Sequence, residues 1–180
     1  MGWVIQISLR KSFGIHGLWP SYDSTDLTCV MQGKKPDPYC NYRYFFNEGI
    51  LEDIQSDLNK YWPQWGVNNH DTFHKNEWNK HGVCYMKILK EQYGRRYGED
   101  GIFHSYFATA LNIAKQHNTV SKYTFQSKEE LAADLNIADP DTFYVACKAG
   151  YIFEVRLCYT LAEPGKEQPI KCYQKDLESE

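Results

Sequence analysis

No C-x-x-C pair and no H-E-x-x-H motif occurs in this chain, and its six cysteines are scattered. Zinc-ribbon spacing and the common zinc-hydrolase helix are therefore absent. No apolar run approaches the ~20 residues a helix needs to cross a bilayer. The stretch Met1–Lys11 is too short and too interrupted for a secretory hydrophobic region, and there is no N-x-S/T acceptor site, repeat or low-complexity segment. An excess of positive charge is missing as well. Twenty Lys and Arg face 23 Asp and Glu, for a formal net charge of −3. That balance excludes a protein held on nucleic acid mainly by its global field, but not one that grips one or two phosphates locally.

What is present suits one domain over residues 1–180, a chain long enough to bury roughly 70% of its unfolded surface. Aromatic residues make up 16% of the sequence, and a dense core is the favoured use for most of them. An even cysteine count in a loop-rich chain points to disulfides and an oxidising compartment. Alternation predicts a strand at Trp3–Ser8, and Pro20–Asn41 reads as a long surface loop. Helical spacing covers Phe46–Trp62, Phe73–Cys84 (capped by Asp71 or Thr72) and Ile102–His117, and Ser127-x-x-Glu130 is a capping box. Tyr144–Lys148 and Tyr151–Thr160 read as strands about an Ala149–Gly150 turn, with a third strand at Gln168–Gln174. The expectation is an α+β fold with an antiparallel β-sheet packed against several helices.

Two blocks carry the chemistry. The first is F-G-I-H-G-L-W-P at Phe13–Pro20 and the second is F-H-K-N-E-W-N-K-H-G-V-C at Phe73–Cys84. On a helix, Glu77 and His81 share a face, Asn76 and Lys80 lie on the adjoining stripe, and His16 could complete the cleft from the first block. RNA carries its own nucleophile, the 2′-OH. Its cleavage needs a base, an acid for the leaving 5′-oxygen and a cation at the phosphorane. Two histidines and Lys80 suit those three tasks, Glu77 could orient a histidine or donate when protonated, and Trp19 could offer a stacking face. From spacing alone a metal site on His74, Glu77 and His81 stands as a rival.

The two blocks, in this order and separation, resemble the active-site segments of the ribonuclease T2 family, which includes plant S-like and self-incompatibility ribonucleases. The similarity extends from about Phe13 to Cys172 and includes Y-F-x-x-A-L at Tyr106–Leu111. The resemblance implies a T2-like α+β fold and metal-independent cleavage of single-stranded RNA through a 2′,3′-cyclic phosphate, with no cofactor and no membrane partner, by a monomer. It implies His81 as general base and His16 as general acid. Glu77 and Lys80 would stabilise the pentacoordinate phosphate, and Trp19 would belong to a base-binding site. It further implies disulfides Cys29–Cys84 and Cys158–Cys172 and a secretory route to vacuole or exterior; the N-terminal sequence then reads as a chain whose leader was removed or whose start is incomplete or alternative.

Three departures stand out. Where the family commonly has F-W-x-H-E-W, this chain has His74 for the Trp and Asn76 for the auxiliary phosphate-binding histidine. Asn76 can donate a hydrogen bond but carries no charge, a loss on the order of tenfold to a hundredfold in rate. His74 lies roughly 200° around the helix from Asn76 and does not replace it. The family's N-terminal strand and its cysteine-bearing loop are mostly absent or replaced, and Cys40 and Cys147 have no assigned partner. The alternative implied by these departures is a ribonuclease-fold storage or recognition protein with little activity.

Overall fold

Four antiparallel strands carry the molecule: β1 (Gly2–Ser8), β2 (Gly14–Ser21), β3 (Phe143–Lys148) and β4 (Tyr151–Thr160), in the order β2-β1-β4-β3. The computed structural model describes residues 2–8, 14–21, 43–63, 70–117, 125, 127–148, 151–160 and 162–172. Side chains alternate along each strand, so Ile5, Ile7, Phe143, Val155, Leu157 and Tyr159 join one buried cluster with the helices. The N-terminal residues do form a strand: β1 pairs with both β2 and β4 and lies inside the sheet.

The helical layer consists of α1 (Gln55–Tyr61), α2 (His70–Glu77), α3 (Val83–Lys115) and α4 (Lys128–Leu135). The expected helix over Phe46–Trp62 is instead a 3-10 segment at Glu48–Ile54 followed by α1. Asn47 caps it by accepting from Gly49 N–H at 3.2 Å. Helix α2 begins at His70, so Asp71 and Thr72 lie inside its first turn rather than at its N-cap. The helix expected at Ile102–His117 is the second half of α3, which breaks at Gly98 with φ 64° and ψ 177°. A side chain would be strained in that backbone conformation, so glycine sets the break. Ser127 accepts from Glu130 N–H at 3.1 Å, as the capping box requires.

The aromatic excess is mostly core. Trp62, Trp78, Tyr85, Phe103, Tyr106, Phe107 and Phe143 are fully buried, and Trp78, Tyr106 and Phe107 meet Phe103 or one another edge to face. Each such ring contributes about 1.5–3 kcal/mol through burial. On the opposite face of the sheet Tyr144 and Cys158 pack with Ile170 and Cys172, and a disulfide joins Cys158 to Cys172. The third strand expected at Gln168–Gln174 is a single bridge, Tyr159 to Pro169; Pro169 has no N–H with which to extend a ladder, and residues 173–174 lie outside the described part. So do Ala149–Gly150, Cys29, Cys40 and the Pro20–Asn41 loop apart from Pro20 and Ser21, which end β2. Among the described residues no helix is long and apolar enough to cross a membrane.

Candidate active site

His16 is aimed by a β-bulge. Gln6 of β1 pairs with Gly17, and Ile7 pairs with Ile15, so His16 is the extra residue between them. A bulge shifts the alternation by one residue. Ile15 and Leu18, three apart, therefore both enter the core, and His16 and Trp19, also three apart, meet with ring centroids 5.5 Å apart. β2 is an edge strand, and its edge is covered. Trp62 Nε1–H donates to His16 O at 3.2 Å, and the Tyr106 hydroxyl donates to Leu18 O at 3.1 Å. These bonds satisfy carbonyls that would otherwise be unpaired in a buried edge.

The second block enters from α2 and continues as a π-helical turn at Trp78–Gly82. Such wide turns are uncommon and cluster at functional sites. Trp78 anchors this one: its ring is fully buried, and its Nε1–H donates to Tyr44 O at 2.9 Å. With Trp78 fixed inward, Glu77 is buried and His81 half-buried at the cleft, while Asn76 and Lys80 are exposed on the same stretch.

Trp19 links the two blocks. Its indole N–H donates to Glu77 Oε2 at 2.9 Å, and its ring stacks on His81 with centroids 4.5 Å apart. Gly17 makes room for this contact: a Cβ there would lie 2.3 Å from Glu77 Oε2 and 2.4 Å from Trp19 Nε1. His81 Nε2 lies 3.9 Å from the same carboxylate oxygen. His16 stacks on Phe73 at 5.8 Å, and its Nδ1 reaches across β1 to Glu154 Oε1 at 2.9 Å.

The two histidines are displaced in opposite directions. Burial pushes His81 down to about 4, and the positive charges of Lys80 and His16 act the same way. The hydrogen bond to Glu154 raises His16 above its ordinary value against the effect of burial, with the negative charge of Glu77 adding to it. Burial also raises Glu77, opposed by the Trp19 hydrogen bond and by the charges of His16 and Lys80. Above about pH 4 and below the ordinary histidine value of 6.5 the site thus favours a neutral His81 facing a protonated His16. That is the pairing a base and an acid require.

Of the residues singled out from sequence, His16, Trp19, Glu77 and His81 come together, with Lys80 near enough for its charge to act on Glu77 and His81. Trp19 has one face taken by His81, so a base could stack only on the other. His74 is elsewhere: it is buried, and its Nε2 bonds to Trp62 O at 2.9 Å. The metal triad of His74, Glu77 and His81 is therefore not assembled, and no His, Cys, Asp or Glu group suited to a metal occurs among the described residues. Cys84 is disulfide-bonded, to a partner outside the described residues, and Cys147 is free and exposed. Phe73, Glu154 and Arg156 were not anticipated. Glu154 could have been found as the one carboxylate among the residues alternating with Val155, Leu157 and Tyr159.

Known proteins share both sequence and fold with this chain. Ribonuclease T2 of Aspergillus oryzae is 27% identical over 173 residues, covering 88% of this chain and 61% of that protein. Ribonuclease 1 of Arabidopsis thaliana is 28% identical over 114 residues, covering 62% of this chain and 40% of that one. The chain thus spans about 40% to 61% of the length of these two relatives. Human RNase T2 shares the fold with a TM-score of 0.57 at 18% identity, covering 93% of this chain and 89% of that one. RNase NT, solved in complex with 5′-AMP, superposes with a TM-score of 0.56 at 20% identity, covering 96% and 95%. The model of the Ribonuclease T2 family matches residues 4–172. With both histidine blocks on one antiparallel α+β framework and the match spanning nearly the whole chain, this protein belongs to the ribonuclease T2 family.

Proposed function

We propose that the chain is an endoribonuclease that cleaves single-stranded RNA without a metal, through a 2′,3′-cyclic phosphate. The observation that carries this reading is that Trp19 touches the rings of both His16 and His81, two histidines displaced in opposite directions from their ordinary value. Neutral His81 takes the proton of the 2′-OH as the 2′-oxygen attacks phosphorus. Lys80 and Glu77 face the charge that builds on the phosphorane, and Asn76 offers a neutral hydrogen bond to the phosphate. Protonated His16 delivers its proton to the 5′-oxygen as the P–O5′ bond breaks, leaving the cyclic phosphate. In the hydrolytic step the roles reverse: His16 takes a proton from water and His81 returns one to the 2′-oxygen. Lys80 acts as a point charge, which tolerates a mobile phosphate.

The same reading places the protein in an oxidising, secretory compartment, supported by the Cys158–Cys172 disulfide. It also takes residues 1–180 as a single domain, supported by the large core cluster that sheet and helices share among the described residues, and takes the protein as a monomer. The test is digestion of single-stranded RNA in EDTA across pH 4–8, with products resolved by mass. Cyclic-phosphate ends are expected from the native protein, with a loss of at least a hundredfold on His16→Ala or His81→Ala. Absence of cyclic ends, or full activity of both variants, overturns the reading.

A further inference from the structure

Glu154 is 2% exposed. Its Oε1 faces His16 Nδ1 at 2.9 Å, and its Oε2 accepts from Arg156 Nε–H at 2.9 Å. Arg156 in turn donates from its terminal nitrogen to the Tyr144 hydroxyl at 3.3 Å and lies with its guanidinium carbon 5.5 Å from the Tyr144 ring centroid. A chain of contacts from half-buried His16 through buried Glu154 and half-buried Arg156 to buried Tyr144 therefore runs away from the cleft, across the face of the sheet opposite the main core. A carboxylate can only accept a hydrogen bond, so the shared proton sits on His16 Nδ1. That leaves Nε2 as the ring atom available to substrate.

We propose that Glu154, oriented by Arg156, is the positioning residue of His16: it fixes the ring so that Nε2 faces the leaving oxygen, and it stabilises the imidazolium that must be present before the proton is delivered. The proposal rests on the assignment of His16 as the acid. In proton terms, His16 enters with hydrogen on both nitrogens, gives the Nε2 proton to the 5′-oxygen and keeps the Nδ1 proton, which stays hydrogen-bonded to Glu154. Water then re-supplies Nε2 in the second step. The partner that orients one ring nitrogen decides the protonation of the other. Arg156 supplies a charge-assisted contact that sets the rotamer of the glutamate. The charged and titratable groups acting on His16 are Glu154 and Arg156 from β4, Glu77 from α2 and His81 from the π-helical turn. The Glu154 contact is the strongest of these influences on His16.

The test is long-range ¹H–¹⁵N NMR of the histidine rings, combined with pH–rate profiles for cleavage of a dinucleotide. In the native protein His16 is expected to titrate above the ordinary histidine value, and its neutral form to carry hydrogen on Nδ1. Glu154→Gln should lower that titration by about one pH unit and move the alkaline limb of kcat/KM by the same amount, leaving the acid limb in place. Glu154→Asp, which keeps the charge but withdraws it by one methylene, should fall between the two. An Nε2–H tautomer in the native protein, or an unshifted His16 in folded Glu154→Gln, overturns the proposal. If the variants do not fold, the native spectrum alone decides. Unimpaired cleavage by His16→Ala would sink the catalytic assignment instead, a result the ring spectra do not depend on.

Discussion

Trp19 lies nearly flat on His81, ring planes 20° apart, while its indole N–H is held by Glu77 at 2.9 Å. The tryptophan therefore positions two members of the site before any base can stack on it. Trp19→Phe preserves a ring against His81 and removes the hydrogen bond. The expected result is a fall in kcat of about tenfold, the worth of one charge-assisted contact, with KM nearly unchanged. A base platform would show the reverse split, and steady-state kinetics on a dinucleotide read the difference.

The pH profile follows from the two histidines. His81 acts as a base only when neutral, and burial has brought it down to about 4. His16 acts as an acid only when protonated, and Glu154 raises it above its ordinary 6.5. A plot of log kcat/KM should rise through an acid limb near pH 4, stay level, and fall along an alkaline limb above pH 6.5. Two limbs that both lie between pH 6 and 7 would mean that neither histidine is displaced.

Gly17→Ala tests the contact between the blocks. Its Cβ would lie 2.3 Å from Glu77 Oε2 and 2.4 Å from Trp19 Nε1, distances that no side chain tolerates, so the Trp19–Glu77 hydrogen bond has to open. Overpacking of this kind costs about 1–3 kcal/mol. The variant should melt several degrees lower by calorimetry and lose activity on the order of a hundredfold. An unchanged melting temperature would show that the two blocks are not in contact through this glycine.

Much of the site is legible in the sequence because the second block is local: Glu77 and His81 are one turn apart, and their common face follows from helical geometry. The strands of the C-terminal third and the cap at Ser127 follow from alternation and from one capping pattern. The approach of His16 to Trp19 is different. It depends on a one-residue bulge fixed by pairing with β1, and strict alternation would put these two rings on opposite faces. Glu154 is less legible in the sequence for a related reason. Its strand is recognised by the apolar residues Val155, Leu157 and Tyr159, and the partner of Glu154 lies 138 positions away. The π-helical turn and the break at Gly98 are likewise set by packing and by one backbone angle, which periodicity does not register.

Asn76 is exposed on α2, one residue before Glu77, where a charged side chain has room to reach a phosphate. Asn76→His should raise kcat/KM on RNA about tenfold below pH 6, where an exposed histidine is cationic, with the gain fading as pH rises through about 6.5. The measurement is the ratio of variant to native activity at pH 5 and pH 8. A ratio independent of pH would mean that charge at this position is not what the site lacks.

Glu77 separates stability from catalysis. Its carboxyl is buried and raised above the ordinary carboxylate value, chiefly by desolvation. Above the unfolded value of about 4.5 the unfolded chain gives up this proton more readily than the folded one, so stability from this group declines as pH rises through the folded value. Glutamine has the same shape and can still accept from Trp19 Nε1–H, but it has no charge to desolvate. Glu77→Gln should therefore melt about 2 °C higher than the native protein at pH 7, with the advantage gone by pH 4. Cleavage should fall by at least tenfold, because the variant can neither pair with a cationic His81 nor donate a carboxyl proton to the phosphorane. A variant that is less stable at pH 7 would show that the ionised carboxylate is stabilised by its neighbours.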